Sequence, residues 1–100
     1  MIYDCRDEPK IDVDRKVAVV LLSYNSRAYL EQFLPFVLKT AYPGFRLIVV
    51  DNASTDDTLS FLQAHYPDVD VLHLDINKGF TNGFVESLAC IRAEYYALLT

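Results

Sequence analysis

Three short polar stretches each follow an apolar run, and each carries groups able to hold a ligand: Ser23-Tyr24-Asn25, Asp51-Asn52-Ala53-Ser54 and Asn77-Lys78-Gly79. Asp51 stands directly past RLIVV, Arg46 to Val50, whose continuous apolar character is that of a buried strand. A carboxylate at such a strand end serves either a ligand or a turn. The helix that follows needs a cap, and Ser54 is placed to supply it, so Asp51 is left to a ligand. Asn77, Lys78 and Gly79 sit between a strand and a helix start, which suits phosphate or sugar oxygens. Gly79 and Gly83 also read as residues that permit positive φ and close packing. Gly79-x-x-x-Gly83 matches neither a Walker loop nor the dinucleotide fingerprint.

The elements that position these stretches follow from periodicity. KVAVVLLS (Lys16 to Ser23), RLIVV, VDVLHL (Val69 to Leu74) and YYALL (Tyr95 to Leu99) read as strands. Between the first two, Leu30, Phe33, Leu34, Val37, Leu38 and Ala41 recur at helical steps and form an apolar stripe. Pro35 removes the bond to the carbonyl of Glu31, which predicts a kink, and Tyr42-Pro43-Gly44 ends that helix. A second helix is expected from Ser54, with Ser54 and Asp57 as a capping box and Asp56 and Asp57 on the positive end of its dipole. Its inner stripe is Leu59, Leu62 and Tyr66, and Pro67 stops it. A third opens near Thr81 or Asn82, with Phe84, Leu88 and Ile91 turned inward. Alternating strands and helices predict an α/β fold: a Rossmann-like open, mostly parallel sheet of about four strands with helices on both faces. Residues 1 to 15 are read as a polar lead-in and residues 16 to 100 as the domain. In such sheets ligands bind beyond the carboxyl ends of the strands.

The net charge of −5 lacks the basic face that phosphate neutralisation needs, which excludes a nucleic-acid binder. A hydrophobic content of 52% implies a packed core. Cys5 and Cys90 are too few and too far apart for a disulfide framework or a zinc knuckle, so both are read as free thiols in a reducing, cytoplasmic setting. The first fifteen residues lack a signal-peptide core, and no run reaches the ~18 apolar residues of a membrane span. Attachment near a membrane through further sequence stays open. His65 and His73 have no metal-ligand spacing and read as structural, and no Ser-His-Asp set or Gly-x-Ser-x-Gly elbow is present.

Taken together, VAVVLLSYN, LIVVDNASTDDT and LDINKGFTNG, in that order and at these separations, resemble the inverting family 2 glycosyltransferases of the GT-A fold. The resemblance covers Lys16 to Thr100. It implies a site for a nucleotide-diphospho-sugar, with UDP, dTDP or GDP as the carrier. Ser23, Tyr24 and Asn25 would border the nucleobase and ribose. Asp51, with Asn52 beside it, would accept a hydrogen bond from the base, and Asn77, Lys78 and Gly79 would lie near the ribose, diphosphate and sugar. It also implies transfer with inversion to a glycan or lipid-linked acceptor, polysaccharide biosynthesis as the setting, and Mg²⁺ or Mn²⁺ as cofactor.

Leu22 stands where many relatives have Thr or Pro. The family's Asp-x-Asp metal motif follows its fourth strand, and this sequence reaches Thr100 before it, so no metal ligand and no catalytic base is assigned here. The literal strings Asp12-Val13-Asp14 and Asp68-Val69-Asp70 precede strands and read as decoys. Residues 1 to 100 are therefore expected to be inactive alone. The alternative is a non-catalytic nucleotide-binding or protein-interaction module, self-associating through exposed sheet edges. A phospho-acceptor receiver domain shares the architecture but needs acids after the first strand, where Ser23-Tyr24-Asn25 stands.

Overall fold

The computed structural model describes residues 2–4, 11–13, 17–39 and 45–99. Chain order is β1 (Ile2–Asp4), β2 (Ile11–Asp12), β3 (Val17–Ser23), α1 (Arg27–Lys39), β4 (Phe45–Asn52), α2 (Thr58–His65), β5 (Asp70–Leu74), α3 (Gly79–Ala89), β6 (Ile91–Arg92) and β7 (Tyr95–Leu99). The main sheet has five strands in the order β1-β5-β4-β3-β7, and every pairing in it is parallel. The chain steps outward from β3 through β4 to β5 and then returns to the other side of β3 as β7. The strand order thus reverses beside β3, which puts the crevice favoured by ligands at the carboxyl end of that strand.

β4 is buried from Leu47 to Asn52, as expected for a central parallel strand covered on both faces. Its alternate residues serve two cores. Leu47 and Val49 join Leu21, Val71 and the inner residues of α1 and α2, namely Leu30, Leu34, Phe61 and Leu62. Ile48 and Val50 join Ala18, Val20, Leu72, Leu74 and Phe84 of α3. The helices therefore cover both faces. Each fully buried aliphatic side chain here is worth about 1.5–3 kcal/mol relative to exposure.

The lead-in holds more structure than its charges suggest. β1 pairs in parallel with β5 (Ile2↔Val71) and becomes the sheet's fifth strand, while β2 pairs with β6 (Ile11↔Ile91). Ile11 and Ile91 are each almost fully buried under the α3 face.

α1 is continuous through Pro35, whose side lies exposed, and Leu30 and Leu34 carry its buried stripe. The expected stop at Tyr42-Pro43-Gly44 lies outside the described residues. α3 begins at Gly79, before the expected Thr81, and Ile91 belongs to β6. Gly83 lets α3 lie close to the sheet: a Cβ there would come 3.1 Å from Leu22 Cδ1 and 3.3 Å from Asn52 Nδ2. Cys90 is disulfide-bonded, which overturns its reading as a free thiol and removes the basis for inferring a reducing compartment. Cys5 lies outside the described residues. Among the described residues, no helix is long and apolar enough to cross a membrane.

Candidate nucleotide site at the strand ends

Parallel register sets a row of polar residues across the carboxyl edge. Ser23 pairs with Asp51, Asp51 with His73, and His73 with Asp4, so one row spans four neighbouring strands. Paired residues of parallel strands share a face. The row continues the line of Leu21, Val49, Val71 and Ile2, on the side that α1 and α2 cover. The surrounding apolar helices keep water from the carboxylate: Asp51 is 0% exposed and Ser23 3%.

Asp51 is held by one oxygen. Its Oδ2 accepts the backbone N–H of Ser54 at 3.3 Å and lies 3.3 Å from His73 Nδ1. Its Oδ1, like the neighbouring Ser23 Oγ, is buried without a hydrogen-bond partner. Two such atoms side by side are uncommon, because a buried polar group left unpaired costs about 1–3 kcal/mol. His73 was expected to be structural, yet it lies between two acids, with Nε2 4.0 Å from Asp75 Oδ1. An ionised carboxylate only accepts, so the contact is a hydrogen bond in the tautomer that carries the ring proton on Nδ1.

Asn25 and Asn52, both predicted to line the site, use their side-chain amides to brace loops. Asn25 Oδ1 accepts from Thr55 N–H at 2.7 Å and Asp56 N–H at 3.2 Å, and its own N–H donates to Ser54 Oγ at 2.9 Å. These bonds lock the β3–α1 loop onto the β4–α2 loop. Asn52 lies on the opposite face from Asp51, as strand alternation requires. It accepts Lys78 N–H at 2.8 Å and donates to Gly79 O at 3.1 Å, tying the α3 entrance to β4. Two non-glycine residues in these loops have left-handed backbones, Asn25 (φ 49°) and Ala53 (φ 61°). Such conformations cost of order 1 kcal/mol or more and gather at functional sites.

The predicted capping box does not form. α2 starts at Thr58, its N-cap Asp57 makes no side-chain cap, and Ser54 Oγ is taken by Asn25. Asp56 does the capping work instead, accepting from both the N–H and the hydroxyl of Thr58. Burial raises the Asp56 pKa, but these bonds outweigh it and hold the group below its ordinary value. Arg27 of α1 reaches Asp57 at 3.0 Å and lies over the Phe61 ring at 4.8 Å, joining α1 to α2 beside the loop.

The remaining predicted residues rim the edge. Tyr24 is about half exposed, at 46%. Asn77 Oδ1 accepts Gly79 N–H at 2.7 Å, closing a turn that Gly79 completes with φ 75°. A Cβ on Gly79 would meet nothing within 4 Å, so glycine is required there for conformation rather than space. Lys78 Nζ lies 3.6 Å from Glu86 Oε2. Ser23 and His73 thus flank Asp51 along one row, with Tyr24 next to Ser23 in the chain, while Asn77, Lys78 and Gly79 stand past the end of the adjoining β5.

Among the described residues no group of three or more His, Cys, Asp or Glu could hold an ion. Asp70 opens β5 at the amino edge, where Arg46 Nε binds it at 2.5 Å; that bond raises the Arg46 pKa. Asp12 lies in β2, and Asp14 is outside the described residues.

Residues 18–100 match the model of Glycosyl transferase family 2, and the chain belongs to that family. It is 34% identical over 87 residues to TuaG of Bacillus subtilis, named as a candidate teichuronic acid biosynthesis glycosyltransferase, covering 83% of this chain and 34% of that protein. It is 27% identical over 84 residues to an uncharacterized glycosyltransferase of Haemophilus influenzae, covering 81% of this chain and 26% of that one. The fold is similar to that of the mannosyltransferase PcManGT from Pyrobaculum calidifontis, solved with GDP-Man and Mn²⁺. That likeness has a TM-score of 0.61 at 24% identity and covers 86% of this chain and 25% of that one. It identifies the GT-A, Rossmann-like architecture. The chain spans about a quarter to a third of the length of these relatives.

Proposed function

We propose that this chain is the donor-binding half of a family 2 glycosyltransferase, holding a nucleotide-diphospho-sugar at the carboxyl edge of β3, β4 and β5. The observation that carries this reading is the buried, unpartnered pair of Asp51 Oδ1 and Ser23 Oγ, one an acceptor and the other able to donate. A nucleobase edge carrying an N–H beside a carbonyl satisfies both. Tyr24 borders the ribose, and Asn77, Lys78 and the α3 entrance at Gly79 face the diphosphate, where the positive end of the α3 dipole adds to the Lys78 charge.

Because neither Asp51 nor Ser23 is accessible, entry of the base requires the β3–α1 and β4–α2 loops to part. The contacts opposing this are the exposed hydrogen bonds of Asn25, each worth only about 0.5–1.5 kcal/mol. Membership of the family and the GDP-Man and Mn²⁺ of the structural relative support a nucleotide-sugar donor and a divalent metal in the whole enzyme. The metal ligands and the base that activates the acceptor hydroxyl for inverting attack would come from residues beyond this chain. The 100 residues alone bind nucleotide but transfer no sugar.

The test is calorimetric titration of the chain with UDP, dTDP and GDP, repeated with Asp51→Ala. Removal of a carboxylate that accepts from the base weakens binding about tenfold or more. Binding that is unaffected by the substitution rules out the role given to Asp51.

A second reading, a non-catalytic interaction module, draws on β7, where all five residues from Tyr95 to Leu99 are exposed. Sedimentation of the chain separates the two, since a concentration-dependent dimer that binds no nucleotide favours the module.

A further inference from the structure

The strand register brings His73 into contact with Asp51, and the contact is one-sided. The oxygen that His73 touches, Oδ2, is also the one that accepts Ser54 N–H, so two donors share it while Oδ1 has none. We infer that His73 is a specificity-determining positioning residue: by fixing Oδ2 it leaves Asp51 one oxygen for the nucleobase, a geometry that selects uracil or thymine over guanine. The inference rests on the reading of Asp51 given above and adds a base preference to it.

The chemistry of the base edges decides the preference. Uracil and thymine present one imide N–H flanked by carbonyl oxygens. A single carboxylate oxygen accepts the N–H, and the adjacent Ser23 hydroxyl, buried and otherwise unpartnered, donates to a flanking carbonyl. Guanine presents a ring N–H and an exocyclic amine side by side, which together call for both oxygens of a carboxylate. With Oδ2 held by His73 and Ser54, one of the two donors goes into the site unpaired, and a buried donor without a partner is discriminated against. Adenine presents one exocyclic N–H beside a ring acceptor and can also meet Oδ1 and the Ser23 hydroxyl, so the discrimination falls on guanine, with its two adjacent donors. His73 acts through Asp51, as its imidazole is held between that carboxylate and Asp75.

The experiment titrates the 100-residue chain with UDP, dTDP, GDP and ADP, first as it stands and then as His73→Leu and His73→Asn, with folding of each variant checked by circular dichroism. UDP and dTDP are expected to bind about tenfold or more tighter than GDP. His73→Leu leaves Oδ2 with the Ser54 N–H alone, opening it to a second donor, and narrows the ratio between UDP and GDP. His73→Asn, whose side-chain N–H stands in for Nδ1–H, restores it. A purely structural histidine would lower stability without moving that ratio. Equal or tighter binding of GDP by the unaltered chain overturns the inference, as does a ratio that His73→Leu leaves unchanged, and in either case the nucleotide-binding reading stands. Absence of binding by every nucleotide overturns the reading itself.

Discussion

Asp51 and His73 pair across β4 and β5, with Nδ1 and Oδ2 3.3 Å apart, and the carboxylate of that pair is fully buried at the edge where α/β sheets bind ligands. A charge-bearing group in that position is expensive unless it is paired or serves a function. One oxygen of Asp51 is paired and the other is not. The pairing therefore orients the group more than it neutralises it.

The loops over this pair depend on Asn25. Because Asn25 already has φ 49°, Asn25→Gly keeps the backbone and removes only the side-chain bonds to Thr55 and Asp56. Stability should fall by about 1–2 kcal/mol in urea denaturation. An unchanged midpoint would show that the loops hold together without that amide.

Close approach of α3 to the sheet rests on Gly83. A Cβ would press on Leu22 and Asn52, and the branched side chain of Gly83→Val has no room to rotate away. The loss should be about 1–3 kcal/mol, by the same measurement. Because Asn52 also holds Lys78 and Gly79, nucleotide affinity should fall with it.

The start of α2 should be sensitive to acid. The Asp56 pKa is lowered in the folded chain, so its contribution to stability is complete above its unfolded value of about 3.9 and is lost as pH falls through the lower folded value. Asp56→Asn keeps an acceptor for Thr58 but loses the charge. The gap in urea midpoint between the two proteins should therefore be widest near about pH 7 and close below about pH 4. A gap that stays constant down to acid would mean that the charge contributes nothing.

Much of this arrangement is legible in the sequence because buried parallel strands announce themselves as short β-branched runs. β3, β4 and β5 show such runs, and with them the edge that carries Ser23, Asp51 and Asn77, whereas β7, exposed and without a β-branched residue, reads as a strand only from its short apolar run. β1 and β2 escape such reading: Ile2-Tyr3-Asp4 and Ile11-Asp12 are too short to show alternation, and only their distant partners β5 and β6 make them strands. The α2 start was misplaced because a Ser-x-x-Asp string fits a capping box locally. The chain instead passes through the left-handed Ala53, and Ser54 is captured by Asn25 some thirty residues earlier.

The site was legible in outline and not in its division of labour. Asn25 and Asn52 look like ligand-binding amides in sequence, but whether an amide meets a ligand or a neighbouring loop is fixed by long-range packing. His73 was missed for the same reason. Nothing near it in sequence marks it; only the β4–β5 register puts it beside Asp51. The signal is positional: His73 and Asp51 stand at matching distances from the carboxyl ends of their strands.

The central claim is that the nucleotide sits on the Ser23–Asp51 edge. The most direct measurement is an amide chemical-shift map of the isotope-labelled chain titrated with UDP. With the nucleotide on that edge, the largest shifts fall at Tyr24, Asn25, Ser54 and Asn77 to Gly79, with little change around the cavity of about 290 Å³ that Ile2, Leu62 and Tyr66 line at the other end of the sheet face. Shifts concentrated at that cavity or along β7, with the strand-end loops silent, would contradict it.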